Sequence, residues 1–279
     1  MKQVNNVSEC FLYRKNCSGS VGLVPTMGAL HDGHLSLIKK SLTTCDTTIV
    51  TIFVNPKQFG KNEDFDDYPL NIKKDLKLLS SLNVSCVFVP NISQMYSSNH
   101  SFDLIENQLS KLLEGLSRPS FFNGVSTIVA KLLNLFQPTH VFFGEKDAQQ
   151  LLIIKKMLQD MNYNIQCVSM PTIRDKNGLA LSSRNQYLST KEIKIAANVY
   201  RGLLLIQNRL NSGSRHVPDL SSVFINYISA FSEIKLDYLS FSNLETLEDV
   251  QTINNQDVLI SVAVYIRSVR LIDNIIYAI

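Results

Sequence analysis

The sequence predicts an α/β protein, with a parallel sheet covered by helices on both faces and a smaller C-terminal α+β unit. Three observations predict it. Short apolar, β-branched runs alternate with segments of helical period through residue 168. Those runs are apolar throughout, as strands buried on both faces are. Past Pro171 the order changes to two helices followed by three strand-like runs.

Taken in order, 20–24 is a strand, 33–45 a helix and 47–54 the next parallel strand. In 71–82, Ile72, Leu76, Leu79 and Leu82 recur at helical spacing. A third strand, 84–89, is ended by Pro90. The segments 102–113 and 124–136 read as helices, 141–143 as a strand, 148–161 as a helix and 165–168 as a fifth strand. Then come a long helix over 191–210, a loop over 211–218 and a second helix over 219–231. The runs 236–241, 258–266 and 269–272 read as short strands. The units divide as 1–172 and 173–279, and ligands of the first belong at the carboxyl ends of its strands.

Composition excludes several classes. With 45% hydrophobic and 18% charged residues, this is the make-up of a globular protein with a sizeable core. A net charge of +3 is too weak to argue for a nucleic-acid or membrane surface. The apolar runs fall short of a membrane span, and 1–15 is polar, without the apolar core of a signal peptide. The five cysteines are odd in number and lack metal-like spacing, so they read as free thiols in a reducing cytoplasm.

The most informative stretch is Pro25-Thr26-Met27-Gly28-Ala29-Leu30-His31-Asp32-Gly33-His34. It lies where the first strand hands over to the first helix. Such a junction offers backbone N–H groups and the positive end of a helix dipole, which suits phosphate, and the histidines add side-chain donors. Zinc is set aside because only Asp32 stands near as a further ligand. After the second strand, Pro56 leaves the amides of Asn55 and Gln58 at the sheet edge, suited to hydroxyl and carboxylate groups. The stretch Phe143-Gly144-Glu145-Lys146-Asp147-Ala148-Gln149-Gln150 repeats the strand–loop–helix geometry with a lysine for polyphosphate. Leu181-Ser182-Ser183-Arg184-Asn185 supplies hydroxyls and an arginine for a triphosphate tail, and Arg118 can hold a carboxylate or phosphate. No Walker-type or kinase-type motif is present, which points away from γ-phosphoryl transfer and toward adenylation with pyrophosphate leaving.

These motifs, together with Glu63-Asp64-Phe65 and Tyr68-Pro69, occur in one order over residues 21–188 and resemble the pantoate–β-alanine ligase family of the His-x-Gly-His nucleotidyltransferase group. The resemblance implies a Rossmann-like ATP- and pantoate-binding domain, a small lid, a cytoplasmic homodimer and Mg²⁺ with the ATP. It implies condensation of pantoate with β-alanine through a pantoyl adenylate. Met27 through His34 would contact ATP, with His34 the proton donor and His31, Lys146 and Arg184 beside it in catalysis. Gly144, Glu145, Lys146 and Asp147 would hold the nucleotide, Ile173 would meet adenine, and Leu181 through Arg184 would close over phosphate in a loop that orders on binding. Gln58 and Gln150 would read pantoate, with Asn55 and Arg118 also on the substrate side. The alternative is a nucleotidyltransferase acting on a phosphorylated small molecule, against which the two glutamines speak. A nucleic-acid-binding protein on the same fold is opposed by the weak charge.

Two departures from the family stand out. Phe121 replaces a usual histidine and cannot donate a hydrogen bond. Lys73 and Lys74 stand where acidic residues are frequent, leaving Asp75 the lone carboxylate there, so no metal ligand is assigned.

Overall fold

Every strand of the first sheet runs in one direction, in the order β1-β4-β3-β2-β5-β6. The computed structural model describes residues 1–61 and 63–279. They form two units, one of Met1–Glu145 and Gln149–Pro171, the other of Lys146–Ala148 and Thr172–Ile279. Along the chain come β1 (Lys2–Val4), α1 (Val7–Lys15), β2 (Val21–Thr26), α2 (Asp32–Thr44), β3 (Thr47–Ile52) and α3 (Ile72–Ser81). They are followed by β4 (Cys86–Phe88), α4 (Ile92–Met95), α5 (Glu114–Ser117), α6 (Phe121–Phe136), β5 (His140–Gly144), α7 (Ala148–Asp160) and β6 (Gln166–Met170).

Both faces of the sheet are buried, which is why its strands read as unbroken apolar runs. On one face Leu23, Ile49, Phe88, Val141 and Phe143 pack with α1, α6 and α7 residues such as Cys10, Leu132, Phe136 and Ile154. On the other, Val24, Val50, Val87 and Phe142 pack with Leu37 and Ile38 of α2 and Leu79 of α3.

The strand order reverses between β2 and β5, since β3 and β4 lie on one side of β2 and β5 and β6 on the other. Such a reversal opens a crevice at the carboxyl ends of the strands. Here its cause is visible in the chain. Odd residues of β2 face β5, as Val21 shows by exchanging bonds with Thr139, while even residues face β3, as the Thr26 carbonyl shows by accepting the Phe53 N–H. Pairing of β2 with β5 stops at Leu23–Val141. The next odd residue is Pro25, which has no N–H to give to β5. The strand therefore runs through Pro25 to Thr26, beyond the expected end at residue 24, because the missing donor faces the side where pairing has ended.

One expectation needs correction. The helix expected over 102–113 does not form. Phe102 and Ile105 are 80% and 57% exposed, so their spacing marks no buried face. Side chains take over the backbone groups instead: Thr127 Oγ1 accepts the Leu104 N–H and the Glu106 carboxylate accepts those of Gln108 and Ser110. Leu113 then adopts φ +44°, and only the 3₁₀ turn Leu109–Lys111 and the short α5 remain. The polar N-terminal stretch, in turn, holds β1 and α1, the latter capped by Asn6.

The second unit carries α8 (Thr190–Asn211), α9 (Val217–Ile228) and the antiparallel sheet β7 (Ile234–Asn243), β8 (Val258–Ile266) and β9 (Val269–Tyr277). Ser189 and Glu192 cap α8 reciprocally. Its core joins Leu203, Ile206 and Phe224 of the helices to Ile260, Val262 and Val264 of the central strand.

Candidate active site

The crevice between the ends of β2 and β5 is bordered by the loop into α2. Gly28 and Ala29 both have positive φ, +88° and +50°, so the loop turns sharply back on itself. Several of its amides are committed. The Gly28 N–H donates to Thr26 Oγ1, and Ala29 and Leu30 donate to the two oxygens of Asp75 at 2.9 and 3.0 Å. His31 caps α2, its Nδ1 accepting the Gly33 N–H at 3.2 Å, and His34 Nδ1 accepts the His31 N–H at 3.3 Å. The N–H groups of Gly28, Ala29 and Leu30 are thus held within the protein. The loop also presents to an anion the α2 dipole and the imidazoles. With Nδ1 accepting on both rings, the proton of each neutral ring sits on Nε2, so both present an Nε2–H donor. The ring centroids lie 4.1 Å apart.

Asp75 is the residue that sequence reasoning left without a role. It opens α3, is 2% exposed and ties that helix to the loop before α2. Its signal in the sequence was faint, a lone carboxylate after two lysines.

Beyond β3, Asn55 caps the 3₁₀ turn Pro56–Gln58. Its Oδ1 accepts the Lys57 N–H and the Tyr96 hydroxyl, and its Nδ2 donates to the Gly124 carbonyl and to Gln58 Oε1. Arg118 forks onto the Glu63 carboxylate, donates to the Gln58 carbonyl at 3.1 Å and lies 3.7 Å over the Phe121 ring. The phenylalanine that departs from the family pattern thus serves as a stacking surface for Arg118. Gly124 of α6 touches the same turn, and a Cβ there would lie 2.2 Å from the Lys57 carbonyl oxygen. Gly124→Ala is expected to push the turn away and lower turnover at limiting substrate for the Gln58 site. Steady-state kinetics with a melting curve checks it, and an unchanged KM for that substrate would show that the turn adapts.

At the end of β5 stand Gly144 and Glu145. A Cβ on Gly144 would meet no described atom within 4 Å, so the protein's own packing does not require glycine there. Gln150 is half-buried on α7. Its neighbour Gln149 is buried and structural, donating to the carbonyls of Leu109 and Leu112 and accepting the Glu114 N–H.

The remaining residues belong to the second unit. The Lys146 ammonium lies 3.3 Å from Asp147, and the Lys146 carbonyl accepts from Asn274 Nδ2 of β9 at 2.8 Å. Arg174 pairs in a fork with the buried Asp273, at 2.6 and 2.8 Å, and stacks 3.4 Å over Tyr200. Arg174 and Ala180 bridge, the Ile173 carbonyl accepts the Leu181 N–H, and Asp175 Oδ1 accepts the N–H groups of Asn177 and Leu179. These bonds make 173–181 a hydrogen-bonded turn leading into the Leu181–Arg184 stretch. Ser182 caps the 3₁₀ helix Ser183–Tyr187 by accepting the Arg184 N–H. Ser183 is buried and Arg184 half-buried.

Cys10, Cys86 and Cys167 supply no nucleophile. Burial pushes the thiols of Cys10 and Cys86 up to about 12 and that of Cys167 to about 11, so they stay protonated at neutral pH. Among the described residues no group of three His, Cys, Asp or Glu is placed to hold a metal ion.

A parallel sheet with a reversed strand order, and Nε2–H donors at a helix N-terminus beside its crevice, define an α/β enzyme built for an anionic ligand. The family model described as pantoate-beta-alanine ligase matches residues 1–276, and the chain belongs to that family. A pantothenate synthetase of Pseudothermotoga lettingae is 42% identical over 280 residues, covering 99% of each chain. The crystal structure of pantothenate synthetase from Thermus thermophilus superposes with a TM-score of 0.92 at 37% identity, covering 99% of each chain. That of a pantoate-beta-alanine ligase from Francisella tularensis, complexed with beta-gamma ATP and beta-alanine, gives 0.81 at 35% identity, covering 99% of this chain and 97% of that one.

Proposed function

We propose that the chain condenses pantoate with β-alanine at the expense of ATP, releasing AMP and pyrophosphate. The observation that carries this reading is the His31–His34 capping pair beside the β2–β5 crevice, in a chain that the ligase family matches almost from end to end. The pantoate carboxylate attacks the α-phosphorus of ATP and pyrophosphate leaves. The amine of β-alanine then attacks the acyl carbon of the adenylate, and AMP leaves. Charge gathers on the non-bridging α-phosphate oxygens in the first step. The His34 Nε2–H meets that charge, because its Nδ1 is held as an acceptor. His31, Met27 through Leu30 and the α2 N-terminus accommodate the nucleotide from the same loop. Gly144 and Glu145 extend the nucleotide contact from the end of β5, and by the family resemblance Lys146, Asp147, Ile173 and Leu181 through Arg184 are nucleotide residues as well. Gln58 and Gln150 read the hydroxyls and carboxylate of pantoate, and Arg118 holds the Gln58 backbone.

Among the described residues no group of carboxylates makes a magnesium cage. Both Asp75 oxygens already accept N–H bonds, and Lys73 and Lys74 flank it in sequence. Mg²⁺, which the resemblance implies, would be carried by the triphosphate and would supply positive charge there. No helix among the described residues is long and apolar enough to cross a membrane. A cytoplasmic homodimer, as the resemblance implies, completes the proposal.

The test is product analysis. Pyrophosphate should form from ATP only with pantoate, and AMP only when β-alanine is added. Pyrophosphate release that needs a phosphorylated substrate instead would replace the reading with nucleotidyl transfer. In the same assay Gln58→Ala and Gln150→Ala should each raise the pantoate KM about tenfold or more, since each removes a bond to a charged or hydroxyl-rich ligand. The ATP KM should hold. Equal damage to both substrates would mean that the glutamines support the fold and not the pantoate site.

A further inference from the structure

We infer that Tyr96 orients the Gln58 amide through Asn55, so that Gln58 turns its NH₂ to the substrate and Asn55 acts as a positioning residue without touching it. The inference rests on the pantoate reading of Gln58 and deepens it. The orientation follows from groups that cannot change role. The Lys57 N–H can only donate and the Gly124 carbonyl can only accept, so the oxygen of the Asn55 amide faces Lys57 and its nitrogen faces Gly124. The second Asn55 N–H then points at Gln58, 3.1 Å away, and the atom of Gln58 that receives it is Oε1. With Oε1 turned to Asn55 and one of its two acceptor sites used, Gln58 turns its NH₂ away from Asn55, toward the ligand.

The other end of the chain is Tyr96. Its hydroxyl donates to Asn55 Oδ1 at 2.8 Å, 41 residues away in sequence. Asn55 is 1% exposed and now holds two donated and two accepted bonds, which is its full capacity. It has none left for a substrate. Burial, and then the nearby Asp103 charge, push the Tyr96 phenol above its ordinary value, so it remains a donor throughout the neutral range. Its ring is held by His100, 4.9 Å away edge to face, and by Lys57, whose ammonium lies 5.2 Å from the ring centroid. The Gln58 backbone is fixed as well, its N–H on the Asn55 carbonyl and its carbonyl on Arg118. A Gln58 held with its NH₂ outward suits a ligand that presents oxygen acceptors there, a carboxylate or a hydroxyl oxygen.

The test is a double-mutant cycle on the full chain, read as pyrophosphate release with pantoate varied. Tyr96→Phe keeps the ring and removes only the hydroxyl. It should raise the pantoate KM roughly two- to tenfold, the value of one neutral hydrogen bond, with the ATP KM and the melting temperature nearly unchanged. In the Gln58→Ala background the same substitution should add nothing, because its effect passes through Gln58. An unchanged pantoate KM in the single variant overturns the proposal. So does an equal rise in both backgrounds, which would make Tyr96 act independently of Gln58. The parent chain is assayed first. A parent that releases no pyrophosphate with pantoate overturns the pantoate reading itself, whereas an active parent with a flat cycle overturns only the role of Tyr96.

Discussion

His34→Ala is expected to lower the rate of pantoate-dependent pyrophosphate release by about 10²–10³, or roughly 2.7–4 kcal/mol of barrier, the cost of deleting one donor aimed at developing negative charge. The direction follows from the tautomer. His34 accepts the His31 N–H on Nδ1, so its remaining proton is fixed on Nε2, and alanine removes that donor outright. The substitution also uncaps one backbone N–H, which adds about 1 kcal/mol of instability. ATP affinity should change little, because the dipole of α2 and the Asp75-anchored loop stay in place. Single-turnover kinetics with an independent nucleotide titration separates the two quantities. Near-normal single-turnover rates would assign His34 to capping alone.

Asp75→Ala should have the largest effect on stability. The carboxylate accepts the N–H groups of Ala29 and Leu30 in a buried setting, and alanine leaves both without an acceptor. Each orphaned buried donor costs about 1–3 kcal/mol, so the melting temperature should fall by several degrees or more. Asp75→Asn separates fold from function. Its oxygen still accepts one N–H, while its NH₂ faces the other, donor against donor. That variant should remain folded and lose ATP-dependent turnover, because Ala29 sits at positive φ and its turn has lost half its anchor. A folded Asp75→Asn with full activity would show that the loop holds its shape without the carboxylate.

Much of the fold was legible because its signals are local. The sheet strands are apolar runs between breakers, and the strand 258–266 was read with both of its observed bounds. The junction before α2 was legible for the same reason, as glycines and histidines between a strand and a helical period. What was not legible depends on partners far along the chain. β1 is three residues, of which only Val4 is buried, and it exists through pairing with β4. The apolar spacing in 102–113 imitates a helix, and only Thr127 and Gln149, which bind that stretch, explain why it is none. The same limit governs the site. Residue type and position indicated Asn55, Gln58 and Arg118, but not that Asn55 spends all its bonds on neighbours or that Arg118 is clamped between Glu63 and Phe121. Asp75 and Tyr96 act through contacts 46 and 41 residues away, which no local pattern encodes.

The bond from Asn274 to the carbonyl of Lys146 spans 128 residues. A chain made from its N-terminus places Lys146 early, but the acceptor at that carbonyl meets its donor only once β9 has been synthesised and has joined β8. A nascent chain therefore carries the Lys146 carbonyl without this bond until β9 has been made. Translation order puts this bond late: a chain stalled before residue 274 has β2 and β5 complete while the Lys146 carbonyl still lacks its Asn274 donor.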